Sequence, residues 1–225
     1  MIIKTLFASV FTIATINADI KSVQETIHTN QILTYDQQLE QIEKDRLNFK
    51  SHPVSNDSCK AFLINSFDQK IFPYWIGTKW DYNGYTNRPG NDKIIACGYF
   101  VSTTLKHIGF KWNRFDLAKM YSSNIVESIC EKTDQYPDKK TALLSIINLP
   151  DQLYIVGLSS HVGFLLKQGD KIWFVHSNYY ENEGPIKEIA KNSQAFNDSG
   201  IFYIGAFFTP KNMERWVNGN DFNFY

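Results

Sequence analysis

The order of apolar patterns along this chain predicts an α+β fold, with helices first and an antiparallel sheet after them. Three observations carry that expectation. Apolar residues recur at helical spacing from Tyr35 to Ile147. Short β-branched and aromatic runs take over from Leu153 to Phe208. Gln168-Gly169-Asp170, between two of those runs, is a hairpin signal.

Residues 1–18 stand apart. Met1-Ile2-Ile3-Lys4 puts a positive charge ahead of a short apolar run, Leu6 to Ile16, and Asn17-Ala18-Asp19 follows. This is the pattern of a secretory signal peptide cleaved after Ala18. A membrane-spanning helix needs about 20 apolar residues, more than this run offers. The expectation is a secreted or periplasmic bacterial protein with no integral membrane segment once the signal is removed.

Residues 19–57 are polar and poor in glycine. Thr34-Tyr35-Asp36-Gln37 looks like a capping box, and Tyr35, Leu39, Ile42 and Phe49 recur at near-helical spacing. One amphipathic helix ending before His52-Pro53 is expected, as an N-terminal helical arm on a main domain of residues 58–225. A second helix starts at Asp57 or Ser58 and carries Phe62, Leu63, Phe67 and Ile71. Pro73 is expected to end it, because proline lacks an N–H and its ring crowds the preceding turn. Trp75 to Lys93, rich in Gly, Asn, Tyr and Trp, reads as a loop with short extended pieces. A helix then begins at Cys97, with Phe100, Val101, Thr104, Leu105 and Ile108 on one stripe and Gly109 as its stop. A single helix is expected over Asp116 to Glu131, with Leu117, Met120, Ile125 and Ile129 inward, and a short one over Lys139 to Ile147. The expected strands are Leu153 to Leu158, Val162 to Lys167, Lys171 to His176 and Ile201 to Phe208.

Composition narrows the function. Apolar residues are 43% and aromatics 15%, enough to bury the core of one ordered domain. Lys plus Arg and Asp plus Glu number 23 each, so no net field draws the chain to nucleic acid. The 3 cysteines are an odd number, which leaves at least one unpaired after export. Cys59 and Cys130 either pair with each other or are buried small hydrophobes. No Cys/His cluster has zinc spacing and the aspartates show no calcium-loop spacing, so neither a metal nor a cofactor is expected. A serine hydrolase is not indicated, because no Gly-x-Ser-x-Gly elbow exists.

The chemistry-bearing residues are Cys97, His161 and His176. A thiol attacks a carbonyl as the thiolate, and a helix N-terminus favours that anion. A histidine beside it takes the proton, and a third polar group orients the imidazole. If Gln168-Gly169 is the hairpin turn, His161 pairs directly opposite His176. If the turn is Gly169-Asp170, His161 faces Asn178 and His176 lies diagonal to it. In either register all three side chains share one face of the sheet, so His176 or Asn178 can orient His161. The aromatics Phe72, Tyr74, Trp75, Trp80, Tyr82 and Tyr85 either line a groove or pack in the core and loops.

These residues resemble a known family. Ile95 to Leu105 is similar to the cysteine-bearing helix of the NlpC-type, papain-like cell-wall cysteine endopeptidases, whose usual core is Asp-Cys-Ser-Gly-Phe-Val. His161-Val162-Gly163-Phe164-Leu165-Leu166 looks like their His-Val-Gly-Ile-Tyr, and Phe174-Val175-His176-Ser177 resembles their Phe-Val-His-Ala. Gly77 to Gly84 is similar to their Gly-Thr-Pro-Tyr-x-x-Gly-Gly approach to the cysteine. The resemblance spans Gly77 to Phe208. It implies a papain-like fold, with N-terminal helices that include the nucleophile helix packed on an antiparallel β-sheet. It implies Cys97 as nucleophile, His161 as general base, His176 as orienting residue and the Cys97 backbone N–H in the oxyanion hole. Trp80, which takes the slot of a substrate-side tyrosine, would contact substrate together with Tyr82 and Asn178. The implied partner is peptidoglycan or another peptide substrate, cut at an amide bond of the stem peptide. Ala96, Gly98 and Tyr99 depart from the family pattern around the nucleophile, which points to a divergent branch and leaves the substrate open.

Overall fold

β-branched and aromatic residues dominate the last third of the chain, and there they build one six-stranded antiparallel sheet. The computed structural model describes residues 33–224; the expected signal peptide and residues 19–32 of the expected arm lie outside the described residues. The strands are β1 (Thr133–Tyr136), β2 (Gln152–Leu158), β3 (Val162–Gln168), β4 (Lys171–Asn178), β5 (Gly184–Ile189) and β6 (Phe202–Ala206), in the spatial order β1-β6-β2-β3-β4-β5. Helices precede and flank the sheet, so the class is α+β.

Residues 37–224 form one compact unit. Helix α1 (Tyr35–Ser51) ends where expected, before His52-Pro53. Helix α2 (Asn56–Asn65) is capped by the Ser55 hydroxyl, which accepts from the Ser58 N–H. Pro73 does not stop this helical run. A wide π-turn, Ser66–Ile71, is followed by a short helix α3 (Phe72–Trp75). The widened turn keeps the proline ring clear of the preceding carbonyls, and proline's missing N–H matters little in the first turn of α3.

Helix α4 (Cys97–His107) is the centre of the packing. The expected stripe is buried, and so are Ser102 and Thr103, because α5 (Arg114–Ala118) covers the side away from the sheet. Those hydroxyls are paired: Ser102 Oγ donates to the Arg114 carbonyl (2.9 Å), and Arg114 Nη1 donates to Thr103 Oγ1 (3.0 Å). Toward the sheet, the Phe100 ring meets Phe164 of β3 edge-on at 5.9 Å. Gly98 permits the close approach of α5, since a Cβ there would lie 2.3 Å from the Ala118 carbonyl oxygen.

The single helix expected over Asp116 to Glu131 is instead two, α5 and α6 (Ser122–Ile129). The break lets Ser122 dock on β2. Its Oγ donates to the Leu158 carbonyl at 2.5 Å, and Gly157 leaves room for the Ser122 backbone. Helix α7 (Lys139–Ile147) matches its expected bounds and is capped by Asp138. Four elements have no counterpart in the sequence expectation: β1, β5, α8 (Gln194–Asn197) and α9 (Pro210–Asn218), while the expected strand Ile201 to Phe208 is shorter, as β6. Arg46 ties α1 to the end of α9 through bonds to the Trp216 and Val217 carbonyls (3.3 and 3.0 Å).

Alternation divides the sheet residues between two cores. Phe164 faces α4, while Leu165 and Phe174 join a cluster with Ile146 of α7 and Phe196 of α8 (Gln194–Asn197). Cys59, Cys97 and Cys130 are all free, and Cys59 and Cys130 are buried. Among the described residues no helix is long and apolar enough to cross a membrane.

The Gly98 contact is open to measurement. Gly98→Ala should lower unfolding stability by about 1–3 kcal/mol through overpacking against Ala118. Gly200→Ala, where an added Cβ meets nothing within 4 Å, should stay within about 1 kcal/mol of the parent. Chemical denaturation of both variants distinguishes this contact from a general intolerance of alanine.

Candidate active site

The hairpin turn is Gly169-Asp170, because Gln168 pairs with Lys171. Gly169 supplies the positive φ of 56° that such a turn needs. This is the second of the two expected registers. His161, just before β3, therefore lies diagonal to His176 on β4. His161 Nε2 and His176 Nδ1 are 2.9 Å apart. His176 Nε2 in turn lies 3.0 Å from Glu188 Oε1 on β5. Glu188 also accepts from the Ser193 hydroxyl.

Local packing holds the rings. Phe174 stacks on His176 with centroids 4.0 Å apart and planes 14° from parallel. Tyr179 stands edge-on to His161 at 5.2 Å. Gly163 clears the space between them: a Cβ there would lie 2.7 Å from the Phe174 ring and 2.8 Å from His176 Cβ.

The bonding pattern fixes the protons. Burial acts to raise the Glu188 carboxyl, but the bonds from His176 and Ser193 and the His176 charge outweigh it and leave its pKa lowered. An ionised carboxylate only accepts, so His176 Nε2 carries a proton and donates. Burial lowers the His176 pKa, opposed by Glu188 and Glu183, and a neutral ring then presents Nδ1 as an acceptor. His161 Nε2 must donate to it. Burial, reinforced by the His176 charge, holds His161 well below the usual histidine range. Its Nδ1 is consequently a bare lone pair, with no hydrogen-bond partner among the described residues.

Cys97 and His161 line the same cleft, of about 810 Å³, together with Trp80, Tyr82 and Tyr179. Cys97 is half-buried at the first position of α4. Burial pushes its thiol up, and the backbone N–H groups of Val162, Gly98 and Cys97 oppose that shift without cancelling it. No hydrogen bond joins the thiol to His161, and the raised thiol and lowered imidazole both favour their neutral forms. Ala96 at the N-cap offers no side-chain acceptor, which leaves the first-turn N–H groups of α4 uncapped.

The remaining expected site residues divide. Trp80 and Tyr82 line the cleft, and the Trp80 indole nitrogen is buried without a hydrogen-bond partner. Tyr82 is 81% exposed at the rim. Asn178 does not line this cleft. Its amide serves the β4–β5 turn, donating to Glu183 (2.8 Å) and accepting from the Tyr180 N–H (3.2 Å), and it borders a second cleft instead. Glu188 and Ser193 were not singled out from the sequence. Glu188 lies on an edge strand opened by Gly184-Pro185, and only its alternation with Ile186 marks it as facing one way.

Among the described residues no group of three or more His, Cys, Asp or Glu side chains is placed to hold a metal ion. Comparison with protein-family models, curated proteins and solved structures returns no match for this chain.

The lowered histidine values have a consequence for stability. Both rings are held neutral in the fold, whereas the unfolded chain protonates them near pH 6.5. The unfolded state therefore binds more protons below about pH 6.5, and stability present above that pH is lost as acid is added. Denaturation midpoints should fall as the pH is lowered from about 7.5 to about 5, the span that brackets histidine titration in the unfolded chain. Glu188→Gln removes the anion that favours the His176 cation, so the His176 titration seen by NMR should move lower still.

Proposed function

We propose that this chain is a papain-like cysteine hydrolase, a divergent relative of the NlpC-type endopeptidases, which is secreted and cleaves an amide bond in peptidoglycan stem peptides. One observation carries the reading: the Glu188–His176–His161 chain leaves an unprotonated Nδ1 on His161, in the cleft that also holds a thiol at a helix head. Such a tautomer-fixed base is what a neutral thiol needs for activation.

The reaction follows from those positions. The Cys97 thiol passes its proton to His161 Nδ1 as sulfur attacks the carbonyl carbon. The oxyanion accepts from the uncapped N–H of Cys97. When the tetrahedral adduct collapses, the C–N bond breaks and His161 returns the proton to the leaving amine, giving a thioester. Water then attacks that carbonyl and gives a proton to His161. The second collapse breaks the C–S bond, releases the acid and reprotonates the thiol. Trp80 and Tyr82 wall the peptide in, and His176, backed by Glu188, steadies the imidazolium formed in each half.

The same thioester can be discharged on an amine, and the same cleft can take other amides. Amidase, protein peptidase and acyl-transfer activities share this machinery. Defined muropeptides, with products identified by mass, separate them.

A second reading has its own observation. The thiol is raised by burial and makes no hydrogen bond to His161, as in an inactive module that binds wall fragments or a partner. Alkylation rates discriminate. A catalytic Cys97 reacts with iodoacetamide in a His161-dependent way, whereas in a binding module the rate is no faster than a free cysteine's and is indifferent to His161→Ala.

On purified cell walls, Cys97→Ala should abolish release of peptide fragments, and His161→Ala should lower it by about 10²–10⁴-fold. Undiminished release from a folded Cys97→Ala protein would sink the hydrolase reading.

A further inference from the structure

The β3–β4 ladder stops at Phe164 opposite Val175, although its register would go on to set Val162 against Ser177. The Val162 N–H does not turn back to β2. The Leu158 N–H bonds to the His161 carbonyl at 2.7 Å, so the neighbouring pair, Gly157 and Val162, is one whose backbone groups point away from each other. The Val162 donor therefore lies on the β4 side, beyond the end of the ladder, and it is held on Cys97 Sγ. Ser177 is engaged elsewhere. It pairs in register with Pro185 of β5, and its buried hydroxyl donates to the Ile95 carbonyl at 2.8 Å, two residues before the thiol. The Ile95 and Ala96 N–H groups reach the Lys79 and Gly84 carbonyls (2.9 and 2.8 Å). The approach to α4 is thus tied to β4 on one side and to the Gly77–Gly84 loop on the other.

We propose that the Val162 backbone N–H is a catalytic donor to the Cys97 thiolate, and that Ser177 is the positioning residue that brings the sulfur to it. Its meaning in turnover rests on the proposed hydrolase reading. When the Cys97 proton passes to His161, a negative sulfur remains in the cleft. Among the described residues no carboxylate lines that cleft, and its titratable side chains besides Cys97 are His161, Lys119 and five tyrosines. An N–H bonds an anion more strongly than a neutral thiol, so the donor favours the charged form. The Cys97 and Gly98 N–H groups approach the sulfur from α4, and Val162 approaches it from the sheet. His161 and Val162 are consecutive, so one strand end delivers both the base and the donor. A group that would otherwise serve strand pairing is diverted to the reacting atom.

The test reads the thiol and not the product. Iodoacetamide labelling of Cys97 in the full-length protein is followed from about pH 6 to about pH 11, the span of thiol titration. Peptide mass mapping separates Cys97 from Cys59 and Cys130. Two variants are compared with the parent. One is Ser177→Ala. In the other, Val162 is replaced by its α-hydroxy acid, which keeps the side chain and has no N–H. Loss of the donor should move the labelling midpoint up by about one unit and slow labelling at neutral pH about three- to tenfold. Ser177→Ala should move the midpoint in the same direction, while the His176 titration seen by NMR stays in place. An unmoved midpoint in either folded variant overturns the inference. A Ser177→Ala shift matched by an equal shift of His176 also overturns it, since the effect then lies in the imidazole row. If the ester protein does not fold, Ser177→Ala decides alone. Release of peptide fragments from cell walls by the parent is scored separately. Shifted midpoints without release remove the hydrolase reading alone, and release with unmoved midpoints removes the inference alone.

Discussion

The rest of the site depends on where the β3–β4 hairpin turns. Side chains alternate with a period of two, so moving the two-residue turn by one residue slides β4 by two along β3: every side chain keeps its face, but every cross-strand partner changes. With the turn at Gly169-Asp170, Phe164 stays against the Phe100 ring of α4 while His176 and Phe174 point to the opposite side. That register sets His176 diagonal to His161 and within hydrogen-bond reach of it. The same alternation on β5 then brings Glu188, opposite Phe174, onto the face that His176 occupies.

The resulting row of groups resolves a problem of burial. Two imidazoles with almost no solvent contact would each cost about 1–3 kcal/mol for every polar atom left without a partner. Here three of the four ring nitrogens are paired within the row. The carboxylate at the end retains some solvent contact, its side chain being 30% exposed, so the charge is placed where its desolvation is least severe. Polarity is thereby directional. The acid end accepts, each ring passes on one proton, and the far nitrogen of His161 keeps its lone pair.

Much of this was legible in the sequence, for physical reasons that can be named. Helix α7 and the β3–β4 hairpin have strong local signals, an Asp138 cap in one and Gly169 in the other, so tertiary contacts only confirm what the local chain prefers. Edge strand β5 was hidden because Pro185 sits inside it, which is tolerated only where an N–H is not needed by a neighbour. Its turn is formed by Glu181 and Asn182, both at positive φ (53° and 55°), a conformation no glycine announces. With β5 unseen, Glu188 had no address. The α5–α6 break was equally illegible, because it answers to Gly157 on a strand distant in sequence and not to any helix-stop residue at the break. Helix α9, by contrast, had Thr209, Pro210 and Gly219 as start and stop signals.

Gly163 lies one residue beyond Val162 and outside the thiol's immediate surroundings, yet it has as little freedom as any position in the hairpin. A methyl group there would press on both the Phe174 ring and His176 Cβ, moving the stacked pair as a unit. The strand could keep its ladder bonds and the protein could keep its shape, while the imidazole row lost its spacing. Variation at the exposed tip of this hairpin, residues 168–171, is therefore structurally cheap, but at 163 the smallest possible enlargement disturbs the row without unfolding the sheet. In any chain that keeps this imidazole row, the empty place beside the Phe174 ring at position 163 has to stay empty.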